Sequence, residues 1–271
     1  MNKKTPTTAI ITFLIFTVSL LLSGLRCTTD PVVIDPQTLG DYYVYSVISP
    51  NIDQQGAIVG KTIPENMPYD ISGALVQIHG DDGTFALKEY KPGIYIDMDN
   101  TLRIIPAVKY FLTVMLPNGR RLSGETTVPG RFNILNHADS LDYTIRGTGD
   151  SAEYQVPCIS WTRSANAYDY NLSITNVKKE WDSGGFATSD TTVSMPILYS
   201  FNAMRDDTTI SSMKIETAIK ITARDSSYQS CFKSISLLTG EQNTNITGGK
   251  GYFTSYCAVF DTVYLNIKRV K

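Results

Sequence analysis

The sequence predicts an all-β protein built as two β-sandwich-like domains. Three observations carry this. Short runs rich in aromatic and β-branched residues recur from residue 41 onward, and glycine, proline and asparagine punctuate them. A helical period of three and four appears in one short segment alone.

The first runs, YYVYSVI and AIVGKTI, are bounded by Pro50, Asn51, Gly56 and Pro64. In the next, Ala74, Val76 and Ile78 alternate with Leu75, Gln77 and His79, the period of a half-buried strand. Gly80-Asp81-Asp82-Gly83 then places a glycine at each end of a tight reversal, so the two flanking strands leave it antiparallel. Pro92 and Gly93 bend the chain before Ile94 to Ile96 resume a strand. TLRII, YFLTVML and RLSGETTV follow, the last two joined through Pro117-Asn118-Gly119. These runs define a first sandwich over 41–130, closed by Val128-Pro129-Gly130.

Residues 131–150 read as a linker with one crossing strand. The second β-rich domain, 151–271, opens with YQVPCISWT and continues through AYDYNLSI, TVSMPILY and KIETAIKITA to GYFTSYCAVFDTVYLNIKRV. Before the last run, Tyr228, Cys231, Phe232, Ile235 and Leu238 recur at helical spacing, with Asp225 or Ser226 as cap.

The chain begins differently. Lys3 and Lys4 precede an uncharged run of 14 residues, Ala9 to Leu22, whereas a helix needs about 20 apolar residues to cross a bilayer. A positive flank, a short apolar centre and small residues near its end are the layout of a secretory signal, assigned to residues 1–26. Residues 27–40 carry two prolines and read as a tether. Cys27, alone at the junction, is the candidate lipidation site and the link to a membrane. Arg26 stands just before it, where lipid transfer favours a small residue; the other route is cleavage after Gly24, which releases a secreted protein.

Without Lys3, Lys4 and Arg26, the 24 basic residues fall to 21 against 26 acidic ones, a mature net charge of about −5. That balance, with no basic cluster to track phosphates, argues against nucleic acid as a partner. The four cysteines lack Cys-x-x-Cys spacing. Export permits a disulfide, and pairing of Cys231 with Cys257, or one involving Cys158, is the expectation for the C-terminal half.

Little in the sequence suggests catalysis. His79 and His137 are the two histidines, one beside a turn and one in the linker. Neither Gly-x-Ser-x-Gly nor His-Glu-x-x-His occurs. Gly80-Asp81-Asp82-Gly83 and Asp97-Met98-Asp99-Asn100 are compact acidic sets, but the second supplies about three of the six or more oxygens that calcium needs. Both read as turns. GGKGYF lacks the frame of a phosphate loop, so its glycines are expected to let backbone pass close to another element before Tyr252 and Phe253 pack. No catalytic residue, metal or cofactor is assigned. Among 16 tyrosines, Tyr43 and Tyr45 share one face of the first strand and are the candidate binding residues.

SGALVQIHGDDGTFALKEYKPGIYIDM, YFLTVMLPNGRRLSGETTVPG and NTNITGGKGYFTSY together resemble an uncharacterised family of exported bacterial envelope lipoproteins, a domain of unknown function. The resemblance implies a lipidated cysteine, an N-terminal immunoglobulin-like or transthyretin-like sandwich, a second β-rich part, and residence in a Gram-negative envelope, often with a gene beside those of outer-membrane receptors. ISWTRSANAYDYNLSI separately resembles the B and C strands of a fibronectin type III module, which puts Trp161 and Tyr168 or Tyr170 in core positions. The expectation is a non-enzymatic envelope lipoprotein, a binding or accessory subunit of an outer-membrane complex. The alternatives are a secreted carbohydrate-binding or adhesin-like module and a hydrolase with an unrecognised site.

Overall fold

The described residues of the computed structural model are 42–62, 68–135, 139–149, 152–177, 182–195, 209–228 and 244–270. They are almost wholly β, as predicted. Fifteen strands join edge to edge in one curled sheet, and two more pair beside it. Gly40–Lys271 form one compact unit, distinct from Met1–Leu39.

The first lobe is a sandwich whose layers share a strand. β1 (Tyr42–Ile48) pairs with β2 (Gly56–Thr62), which also takes β3 (Pro68–Asp70) and β6 (Ile94–Ile96). β4 (Leu75–Gly80), β7 (Lys109–Met115) and β8 (Arg121–Thr127) make the facing layer. β5 (Gly83–Lys91) serves both, pairing β4 as far as Leu87 and β6 from Lys88. Its register shifts between Glu89 and Lys91, a bulge that turns the strand from one layer to the other. Alternation sets the core: Val76, Ile78, Leu112 and Val114 point inward at 0 % exposure, while Leu75 and Phe111 face out.

One predicted strand is absent. Residues 101–105 pair with no strand, because side chains take their backbone groups. The Asp97 carboxylate accepts the Leu102 N–H at 2.7 Å, and the Tyr110 hydroxyl accepts the Ile105 N–H at 2.9 Å. Leu102 and Ile104 still reach the core.

The second lobe has its own core around Trp161, Tyr170, Ile219, Ile221 and Leu265. β9 (Ser140–Arg146), β10 (Glu153–Gln155), β12 (Asp169–Asn176), β13 (Asp182–Thr188), β15 (Ser212–Arg224) and β17 (Lys250–Val270) form one layer. β11 (Cys158–Ser160) and β14 (Thr192–Ser194) pair separately. Trp161 and Tyr170 are both 1 % exposed and meet edge to face at 5.3 Å, whereas Tyr168 is 57 % exposed. Tyr170, not Tyr168, therefore fills the core position. β16 (Ile246–Thr247) adds to β8 of the first lobe.

Of the predicted helix, residues 226–228 are helical and the remainder lies outside the described residues. The Asp225 carboxylate accepts the Tyr228 N–H at 2.7 Å, the bond of an N-cap three residues back.

β17 belongs to both lobes. Its side chains alternate, so Phe253 enters the first core while Val263, Leu265 and Ile267 enter the second from the same face. Its two edges are served in turn. On one, β1 runs parallel from Tyr43↔Lys250 to Ile48↔Ser255; the Asn51 amide then bonds both the N–H and C=O of Ala258, at 2.7 and 3.0 Å, and β9 pairs from Tyr264. On the other, the Asn245 amide accepts the Phe253 N–H at 2.9 Å and donates to its carbonyl at 2.6 Å, and β15 pairs from Tyr256 to Lys268. Two asparagine side chains thus stand in for missing strand, satisfying backbone groups that burial would otherwise leave unpaired.

Candidate functional site

Four strands of the first lobe bring one residue each into a single cross-strand row. Tyr252 on β17 pairs with Tyr45 on β1, Tyr45 with Ile58 on β2, and Ile58 with Ile94 on β6. All four point away from the core. Ile58 is 45 % exposed and Ile94 36 %. The rings of Tyr45 and Tyr252 lie 4.8 Å apart, and with Ile96 they border a shallow apolar depression of about 290 Å³.

Two glycines make this face. Tyr43 is directly opposite Gly60 on β2, and a Cβ there would overlap the Tyr43 ring. Glycine lets that ring lie on the sheet, where it is 5 % exposed and 5.0 Å from Tyr45. Gly251 has φ of +108° and would drive a Cβ into the Val44 carbonyl, so β17 reaches β1 only with glycine at this position. The expectation for GGKGYF holds here: glycine permits the approach, and Tyr252 and Phe253 then pack on opposite faces. Burial raises the pKa of Tyr43 and of Tyr45 above the ordinary phenol value, Asp70 adding to the first and Lys250 opposing the second. Both phenols are neutral at physiological pH.

Tyr43 and Tyr45 do share the outer face, Tyr43 beneath and Tyr45 half-buried beside the depression. Tyr252 joins Tyr45 across more than 200 residues, so the glycines before it are its one local signal in the sequence. Cys27, His137 and Cys231 lie outside the described residues. His79 Nδ1 is 2.8 Å from the Thr84 hydroxyl across its hairpin.

Neither acidic set converges on a cavity. Asp97 is 3 % exposed and serves Leu102 and Thr101, Asp99 pairs with Lys88 at 2.5 Å, and Asp81 and Asp82 are solvent-facing turn residues. Among the described residues no three His, Cys, Asp or Glu side chains are placed to hold a metal ion. Cys158 is an exposed free thiol and Cys257 a buried one, which corrects the expectation of a disulfide through either. Cys158 faces the Ser194 hydroxyl on the neighbouring strand, and Cys257 sits on the inner side of β17 where burial pushes its thiol up.

A buried carboxylate does sit where the lobes meet. Asp225, 4 % exposed, accepts the hydroxyls of Thr126 and of Thr254, the latter at 2.6 Å, besides its cap bond. Desolvation raises its pKa despite those donors. Beside it, Arg224 holds Asp169 in a two-point bond at 2.7 Å.

No protein-family model and no curated protein matches the chain. Among solved structures it is similar to a tetra-tandem repeat in the extending region of a large adhesion protein, at 13 % identity, with 84 % of this chain and 49 % of that one covered and a TM-score of 0.22. It is also similar to part of a 1.5-MDa bacterial ice-binding adhesin concerned with host cell surface retention, at 11 % identity, with 84 % and 64 % covered and a TM-score of 0.19. The chain spans about half to two thirds of those structures. Neither superposes as a whole fold. Among the described residues no helix is long and apolar enough to cross a membrane.

Proposed function

We propose that this protein is a non-enzymatic binding subunit of the cell envelope, held to a membrane by a lipid on Cys27 and docking another envelope protein through its outer aromatic face. The row Tyr252, Tyr45, Ile58, Ile94 is the observation that carries the docking. An in-register aromatic and aliphatic row, open to solvent on a rigid sheet, is the composition of the buried centre of a protein interface. An outer-membrane receptor is the class of partner that the sequence resemblance suggests.

Two measurements test the two halves. Radiolabelled fatty acid enters the wild-type chain and not Cys27→Ala; an unlabelled wild type removes the tether. A photo-crosslinking side chain at Ile58 captures one envelope protein, and the same group at Phe111, on the opposite outer face, does not. Equal capture at both positions removes the docking face.

A further inference from the structure

A second surface lies on the other lobe. The outward residues of β17 and β15 alternate in size from row to row: Tyr256 opposite Arg224, Ala258 opposite Thr222, Phe260 opposite Lys220, Thr262 opposite Ala218, Tyr264 opposite Glu216. Rings and long charged side chains thus form ridges, and small residues floor the furrows between them. Phe260 is 61 % exposed and Tyr264 40 %. Each carries a cation: Lys220 Nζ lies 5.6 Å from the Phe260 ring centre and 5.7 Å from that of Tyr256, and Lys214 Nζ lies 4.1 Å from that of Tyr264.

We propose that this face binds a linear acidic polysaccharide. Each exposed ring offers the face that its lysine does not cover as an apolar plane for the C–H face of a sugar, and the ammonium over the other face meets the carboxylate of a neighbouring uronic acid. The two ring–cation pairs stand four residues apart on one strand, about 14 Å at strand rise. That interval suits a polymer with charge at regular spacing. On this face Lys214, Lys220, Arg224 and Lys268 outnumber Asp142, Asp169 and Glu216 by one, although the whole chain carries a net −2. Asp169 is spent on Arg224, whereas Asp142, which accepts from the neutral Asn266 amide at 3.0 Å, and Glu216 keep their charge beside Lys214, Lys220 and Lys268. Nothing here requires the lipid tether or the docking face of the first lobe.

Affinity electrophoresis of the purified full chain in gels containing polygalacturonate or alginate tests the proposal. Retardation is expected in at least one of the two, weakened by added salt and absent in a neutral glucan or in fully methyl-esterified polygalacturonate. Lys214→Gln with Lys220→Gln should weaken binding about tenfold, the sum of two exposed charge contacts. Phe260→Ala should weaken it as well, with Phe260→Leu as the check if the alanine variant loses stability. Tyr45→Ala, in the other lobe, should leave it unchanged, which separates failure here from failure of the docking face. No retardation in either acidic gel overturns the proposal, as does retardation indifferent to the lysine pair. Binding to anionic phospholipid vesicles that is lost with the same lysines, without binding to either polymer, overturns it in favour of a lipid surface.

Discussion

Asn245 is the most informative side chain to remove. Its amide closes the first lobe by bonding both backbone groups of Phe253 and by donating to the Glu125 carbonyl on β8 at 3.3 Å. Phe253 is 0 % exposed, so Asn245→Ala leaves a buried N–H and a buried C=O without partners. Each such group costs about 1–3 kcal/mol. Asn245 is itself half-buried, so water can reach part of the gap, and the expected loss is about 2–3 kcal/mol, toward the low end of the sum. Urea unfolding followed by circular dichroism measures it as a lower midpoint at constant slope. Asn245→Asp keeps an acceptor for the Phe253 N–H but turns a carboxylate oxygen on the Phe253 and Glu125 carbonyls, and should cost at least as much as alanine at neutral pH. Hydrogen exchange at Phe253 gives a local readout: its amide should lose protection in the alanine variant. A loss under about 0.5 kcal/mol with that amide still protected would falsify the role assigned here.

Three further outcomes follow from the same geometry. Gly60→Ala forces the Tyr43 ring off the sheet, and thermal unfolding should show a loss of about 1–3 kcal/mol; an unchanged midpoint refutes the packing. Asp169→Ala strands a largely buried Arg224 and should cost about 3–5 kcal/mol by urea titration, while the double change to Asp169→Ala with Arg224→Met should recover part of that. Asp225 has a folded pKa above the ordinary aspartate value of 3.8. Its contribution is therefore fully present below that value and is lost as pH rises through the raised one. Asp225→Asn should flatten this part of the stability profile, and an unaltered slope across that acidic range counts against the burial argument.

Local chemistry was legible wherever a turn or a cap announced itself. Gly80 to Gly83 and Pro117 to Gly119 do join antiparallel strands, and Asp225 does cap the residues after it. What escaped was whatever depends on a distant partner. TLRII has strand composition, yet Asp97 and Tyr110 take its backbone groups first. β13 contains Gly184 and Gly185 and lacks a strand's sequence signature; β12 beside it supplies the pairing. The candidate site shows the same division. Tyr43 and Tyr45 could be placed on one face by alternation, but Ile58, Ile94 and Tyr252 join them only through the register of other strands.

The two-lobed β17 also bears on how the molecule comes into being. When residues 42–128 reach the compartment where the chain folds, the strand that must lie against β1 and supply Phe253 is still more than a hundred residues behind. The early half therefore waits with an open edge, prone to unwanted pairing with other chains. Both halves can close only once β17 is present to pair with β1, β15 and β9.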